Sequence, residues 1–266
     1  MSDPLDGRGA RDERLGMNQQ QPYAQGGNAY GQYAPTVADA SVEDRSTFIV
    51  KTYAHLVGAI FAFVGLIALW FVTGVADIIA PIMVSSQIGW LVVLGGFMAV
   101  SWVAQKWAMA DTSQGMQYAG LGLYVFAESL LFVPLIYIVF LIMAEEGGSG
   151  LALLGEAGVL TVLLFGALSA VVFITRKDFS FLRGAIMFGA IAAMGLIIAS
   201  AIFGFELGII FSWAMVVFAA MTILYKTSGV LHHYNTTQHV AAALNLFASF
   251  ALLLWYVIRI LLASRR

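Results

Sequence analysis

Residues 118–143 read YAGLGLYVFAESLLFVPLIYIVFLIM, an unbroken apolar run with one charged side chain, Glu128. A helix of about 20 apolar residues crosses the roughly 30 Å hydrocarbon core of a membrane. Comparable runs bring the number to seven, at roughly 54–75, 88–103, 118–143, 157–174, 184–203, 207–224 and 240–262. A membrane barrel would need short alternating segments, whereas a helix satisfies its own backbone groups in lipid. The sequence therefore predicts an all-α integral membrane protein with seven transmembrane helices.

Composition excludes several classes of protein. The chain is 61% hydrophobic and only 11% charged, which is not the composition of a soluble domain. Its net charge of −2 provides no field that would attract nucleic acid. It contains no cysteine, which excludes thiol catalysis, disulfides and thiolate metal sites. We expect no cofactor and no metal.

Basic residues before and between the apolar runs fall on every other connection. They are Arg8, Arg11, Arg14, Arg45, Lys51, Lys106, Arg176, Lys177, Arg183 and Lys226. Cytoplasmic connections of membrane proteins carry an excess of Lys and Arg. The alternation predicts a cytoplasmic N-terminus and an external C-terminus, although Arg259, Arg265 and Arg266 at the C-terminal end depart from it.

Residues 1–46 differ in composition from the rest of the chain. They are rich in Gln, Gly, Tyr, Ala and Asp and have few large aliphatic residues, so they predict a disordered cytoplasmic tail. Residues 47–266 then form the membrane domain. The tail is either a passive linker or a segment that a partner or a protease recognises.

Two charged residues in or beside the apolar runs are candidates for function. Glu128 lies deep in its run, where an ionised carboxylate costs several kcal/mol unless it is paired or faces water. It is either a neutral structural residue or part of a proton or cation path. Lys226 ends the sixth run and either reaches into the headgroups or turns inward and latches a cavity.

Histidines and one short loop are further candidates. His55 and His239 are possible pH sensors. The remaining histidines, His232 and His233, lack cysteine or nearby acidic partners for a metal. In the loop TRKDFSFL, Asp178 or Ser180 can cap the following helix. Arg176 and Lys177 suit the negative end of the preceding helix dipole.

These residues together resemble the Bax inhibitor-1 family over about residues 46–266. The segments that carry the resemblance are TY at 52–53, FAE at 126–128, TRKDFSFL at 175–182, ILYKTS at 223–228 and ALNLF at 243–247. The resemblance implies seven helices, with the last enclosed by the other six. Some family members are pH-sensitive calcium leak channels. The chain is most similar to a bacterial branch that modulates the membrane-bound AAA protease FtsH through a disordered cytoplasmic tail, which implies the bacterial inner membrane.

Two positions depart from the calcium-leak members of the family. Those members carry acids where this chain has Lys226 and Ser249, and two close acids titrate as a coupled pair that can gate a pore. The leading hypothesis is therefore a non-enzymatic modulator of membrane protein quality control that contacts a membrane protease through residues 1–46. The alternative is a pH-sensitive cation or calcium leak channel centred on Glu128. A ligand-binding receptor is a third possibility.

Overall fold

The computed structural model describes residues 35–110 and 113–265, and these residues form eight helices. The helices are α1 (Val42–Val72), α2 (Val75–Val84), α3 (Gln87–Ala108), α4 (Gln114–Glu145), α5 (Gly150–Thr175), α6 (Leu182–Phe203), α7 (Ile209–His232) and α8 (His239–Ser264). All except α2 are long and apolar enough to cross a membrane. The predicted all-α, seven-span fold is confirmed.

Local sequence signals set many of the helix ends. The hydroxyl of a serine accepts the backbone N–H three residues later at the start of four helices, and such a cap stabilises a helix by about 1 kcal/mol. These serines are Ser41, Ser86, Ser113 and Ser149. Gly204 ends α6 with φ 73°, a left-handed conformation that suits glycine at a helix end.

The connection after the first span contains a helix that the apolar runs did not predict. Helix α2 has only ten residues and includes Pro81. Its Ala76 and Ala80 are fully buried against Val133 of α4. The small alanine side chains allow this close approach, so α2 packs onto the bundle although it is too short to span it.

The last helix lies inside the bundle, although five of the other six spans pack against it and not all six as the resemblance implied. Helix α8 packs against α1, α3, α4, α5 and α7. At its middle, the ring of Phe63 from α1 meets Phe132 of α4 at 4.9 Å and Phe247 of α8 at 5.6 Å between centroids. Helix α6 is the most peripheral, with Ala193 as its one buried residue in the described part of the chain.

The antiparallel helices give the bundle two chemically different ends. One end holds the start of α1 and the connections α3–α4, α5–α6 and α7–α8, and we call it the basic end. The opposite end holds α2, the connections α4–α5 and α6–α7, and the end of α8. There Arg259 donates to the carbonyl of Leu207 at 3.1 Å, and Arg265 binds both carboxylate oxygens of Glu156 at 3.0 and 2.9 Å. Two of the three arginines that departed from the charge pattern are therefore engaged by partners at this end.

Residues 35–40, which we call the strap, lie across the basic end. Val37 is fully buried, and its N–H donates to the carbonyl of Tyr234 in the α7–α8 connection at 2.8 Å. Thr236 N–H donates to the carbonyl of Pro35 at 3.2 Å. The guanidinium of Arg45 donates to the carbonyls of Val37 and Ala38. The strap is thus held between α1 and the α7–α8 connection.

The strap moves the boundary of the predicted tail. The disordered segment was predicted to extend to residue 46, but α1 begins at Val42 and the strap precedes it. The composition of the segment did not reveal the strap, because its apolar anchor is a single valine, Val37. Residues 1–34 of the predicted tail lie outside the described residues.

Candidate functional site

Glu128 lies inside the bundle, near the middle of α4. Its side chain is 6% exposed, and its Oε2 has no hydrogen-bond partner among the described residues. The neighbouring polar group is the hydroxyl of Tyr124, one turn earlier on α4, and Ser101 of α3 lies beside that hydroxyl. The next residue, Ser129, instead accepts a hydrogen bond from the indole N–H of Trp70 at 3.1 Å.

Among the described residues, this arrangement offers Glu128 a hydroxyl group but no cation. An ionised carboxylate buried without a charged partner costs several kcal/mol, so the neutral acid is the more stable form here. A neutral carboxyl group both donates and accepts hydrogen bonds, so Glu128 can share a hydrogen bond with the nearby Tyr124 hydroxyl.

Lys226 turns inward at the basic end. Its ammonium group donates to Oδ1 of Asn245 in α8 at 2.8 Å, and the side chain is half-buried. Asn245 in turn donates to the carbonyl of Ala241 at 3.0 Å. Ser249 donates to the carbonyl of Asn245 at 3.2 Å. Of the two orientations left open by the sequence, the structure has the inward one.

The two positions that carry acids in calcium-leak relatives are thus linked through Asn245. Sequence reasoning noted Asn245 only as part of a family segment and did not identify it as the partner of Lys226. Pairing across a sequence separation of 19 residues has no signal in helical periodicity. A fixed ammonium group at this depth raises the energy of any other cation that passes close to it.

A second polar layer lies close to Lys226 and was missed by sequence reasoning. Ser169 of α5 and Thr227 of α7 approach each other at 3.5 Å between hydroxyl oxygens. The Tyr53 hydroxyl of α1 lies beside both. Hydroxyl side chains of this kind are common at helix contacts in membranes, so the residue types alone do not distinguish this layer from ordinary packing.

The loop TRKDFSFL joins two connections at the basic end. Asp178 accepts hydrogen bonds from the N–H of Ser180 at 2.8 Å and the hydroxyl of Ser228 at 3.2 Å. It also pairs with Nε2 of His233 at 3.2 Å. Ser228 further accepts the N–H of Phe179 at 2.9 Å. The loop is therefore tied to α7 and to the α7–α8 connection, which the sequence did not predict for residues about 50 positions apart.

These contacts lower the pKa of Asp178. Slight desolvation raises its pKa, but the hydrogen bonds from Ser180 and His233 outweigh this and the pKa lies below its ordinary value. Arg176 ends α5 in a left-handed conformation with φ 52°, and both it and Lys177 are exposed. These two cations sit at the C-terminal end of the α5 dipole, the position that favours them.

The two predicted pH sensors are brought together at the basic end. The ring centroids of His55 in α1 and His239 in α8 are 5.1 Å apart. His55 Nδ1 binds the carbonyl of Lys51 at 2.6 Å, and its Nε2 lies 3.2 Å from the Tyr118 hydroxyl of α4. Within residues 35–110 and 113–265, no three His, Cys, Asp or Glu residues are grouped so that they could hold a metal ion.

The fold and these polar layers define a class of protein: a helical integral membrane protein with seven spans around a central last helix. Residues 45–266 match the family described as inhibitor of apoptosis-promoting Bax1. The chain therefore belongs to the Bax inhibitor-1 family.

Two bacterial relatives are similar to part of this chain. An uncharacterized protein of Pseudomonas aeruginosa is 36% identical over 107 residues, which are 39% of this chain and 46% of that protein. An uncharacterized protein of Pasteurella multocida is 35% identical over 109 residues, 41% of this chain and 48% of that protein. The match thus spans about half the length of these curated relatives.

Proposed function

We propose that this protein is a non-enzymatic modulator of membrane protein quality control that acts on a membrane-bound AAA protease through residues 1–46. The proposal places it in a bacterial inner membrane with the basic end in the cytoplasm, because basic residues mark cytoplasmic connections. The tail would then emerge on the side where such a protease has its ATPase domain.

The strap is the observation that carries this proposal. The fully buried Val37 fixes the root of the tail on the α7–α8 connection, and His233 in that connection pairs with Asp178. A partner that binds the tail is therefore linked by short contacts to the loops of the basic end. A tail that served only as a loose linker would not need such an anchor.

The proposal is tested by removing the tail while keeping its anchor. In cells of the source bacterium, the half-life of a membrane-protein substrate of the AAA protease is measured with the full chain, with residues 1–34 deleted, and with those residues replaced by a Gly/Ser segment of equal length. Both altered chains should lose the effect on substrate half-life at equal abundance. Full activity of the Gly/Ser version would show that the sequence of the tail is not recognised and would contradict the proposal.

The alternative function, a cation or calcium leak, is supported by Glu128. A buried carboxyl group with an unpartnered Oε2 is costly, and such groups inside membranes often mark ion or proton paths. Lys226 argues against free passage. At about 6 Å and an effective dielectric constant of about 20, its charge opposes a monovalent cation by roughly 3 kcal/mol and a divalent one by about twice that.

Flux measurements decide between the two functions. Proteoliposomes with an entrapped calcium dye should show little leak for the wild-type protein between about pH 6 and 8, because Lys226 repels the ion. The channel function predicts instead a leak that Glu128→Gln abolishes. Glu128→Gln keeps the size of the side chain and removes its ionisation, so it separates a conduction role from a packing role.

A further inference from the structure

A groove between α1 and α4 opens sideways from the bundle. It has a volume of about 470 Å³ and is lined along its length by small and aliphatic residues, with two polar residues at one end. The lining includes Gly58, Ala62, Leu66, Gly122 and Val125 in the apolar part. Gly58, Ala62 and Gly122 are exposed, so the groove faces the surroundings of the protein and not its core.

The length of the groove fits one leaflet of a bilayer. The groove extends from His55 to Leu66, which are separated by about 16 Å of helical rise. Half of a hydrocarbon core is about 15 Å thick. A partner transmembrane helix would require a contact surface along about 30 Å, whereas a lipid acyl chain requires only the half that begins at the headgroups.

One cationic side chain and several hydrogen-bonding side chains lie near the end of the groove at the basic end. His55 and Tyr118 line it. His239 is 6% exposed, and its ring centroid lies 5.1 Å from that of His55. Lys51, one turn before His55, is exposed and brings a permanent positive charge.

Acidic side chains of the same helices are distant from this end. On α1, Glu43 and Asp44 precede Lys51 by about two turns, or roughly 10 Å of rise. On α4, Glu128 is about 15 Å beyond Tyr118 along the helix axis. Among the described residues of α1 and α4, the charge near this end of the groove is therefore positive, and the rest of the groove is apolar.

We infer that this groove binds one anionic phospholipid from the leaflet at the basic end. An acyl chain occupies the apolar part of the groove, over Gly58, Ala62 and Gly122. The phosphate is held by the ammonium group of Lys51, because both ring nitrogens of His55 are already bonded to the carbonyl of Lys51 and the hydroxyl of Tyr118. This site goes beyond the proposed function, because it requires neither the tail nor a protease.

A larger side chain can fill the groove without disturbing the fold. A Cβ added at Gly58 or at Gly122 meets no atom within 4 Å, and the same holds for Gly65, which lies on α1 but does not line the groove. Gly58→Leu and Gly122→Leu therefore block the groove, and Gly65→Leu is a matched control. All three replace an exposed helical glycine by the same side chain.

The test measures lipid binding to the purified full-length protein in detergent by native mass spectrometry, with phosphatidylglycerol and phosphatidylcholine as probes. The wild-type protein should retain one phosphatidylglycerol in preference to phosphatidylcholine. Gly58→Leu and Gly122→Leu should each weaken this binding at least ten-fold, and Gly65→Leu should not. Lys51→Gln should weaken phosphatidylglycerol binding about five-fold, as expected for one basic residue beside an anionic headgroup, and leave phosphatidylcholine binding unchanged.

Two results would overturn the inference. Equal retention of the two lipids by the wild-type protein would show that the positive end does not select a headgroup. Unchanged phosphatidylglycerol binding by folded Gly58→Leu and Gly122→Leu proteins would show that the groove is not the lipid site. If those variants instead lose a copurifying protein, the groove holds a helix of that protein. Thermal unfolding of each variant establishes that it is folded.

Discussion

Shortening the one fully buried side chain of the strap should loosen the contact between the strap and the α7–α8 connection. Val37→Ala removes two methyl groups from a fully buried position. At about 0.8 kcal/mol for each buried carbon, the strap loses roughly 1.6 kcal/mol of its attachment. Because each 1.4 kcal/mol is a factor of ten, the strap should open about ten-fold more often.

Hydrogen exchange measures this opening directly. The N–H of Val37 and the N–H of Thr236 are bonded across the contact, to Tyr234 and Pro35 respectively. Both amides should exchange about ten-fold faster in the Val37→Ala protein, since exchange from a locally opened state follows the population of that state. The readout is mass spectrometry of peptides that cover residues 35–45 and 233–238.

The chain provides a matched control for this experiment. Val42 is 84% exposed at the start of α1, and Val42→Ala makes the same chemical change without removing buried surface. It should leave both peptides unchanged. If Val37→Ala accelerates exchange at Val37 but not at Thr236, the strap does not hold the α7–α8 connection, and the coupling on which the proposed function relies is wrong.

Three further predictions concern the charged groups. The folded-state pKa of Asp178 is lowered, so its contacts add stability that is present above its ordinary value of about 4 and is lost as the pH falls through the lowered pKa. Asp178→Asn should therefore lower thermal stability by less than about 1 kcal/mol at pH 7, because the pair is exposed, and the difference should vanish in acid. Lys226→Asp with Ser249→Asp should create a calcium leak in proteoliposomes that responds to pH, since two close acids share protons; a leak of equal size in the wild type would contradict this. Reporter fusions after Gly148 and Glu206 should be external and a fusion after Asp178 cytoplasmic, and a cytoplasmic signal at Gly148 would reverse the proposed orientation.

The sequence was sufficient for the spans because lipid imposes a length and a composition on each one. The third predicted run, 118–143, lies within α4, and the fifth, 184–203, lies within α6. Helix α2 was not predicted because ten residues with an internal proline are too short to stand out as a span. It packs onto α4 through Ala76 and Ala80, which a pattern of apolar runs does not reveal.

The sequence predicted the individual residues of the candidate site but not the contacts between their side chains. Lys226 and Glu128 stand out because charge is rare in apolar segments. Their surroundings depend on which helices meet, and one sequence does not specify this. The contacts of Lys226 with Asn245 and of Asp178 with His233 depend on how α7 and α8 pack, so only the structure shows them.

The enclosed position of α8 has a consequence for how the protein is made. Every helix that surrounds α8 precedes it in the chain. During synthesis these helices enter the membrane before the element that fills the space between them exists, so Phe63 has no Phe247 to meet and Phe132 has no Trp255. The final arrangement is therefore completed only when α8 has been made, and in the proposed orientation its insertion carries Arg259 and Arg265 across the bilayer to their partners.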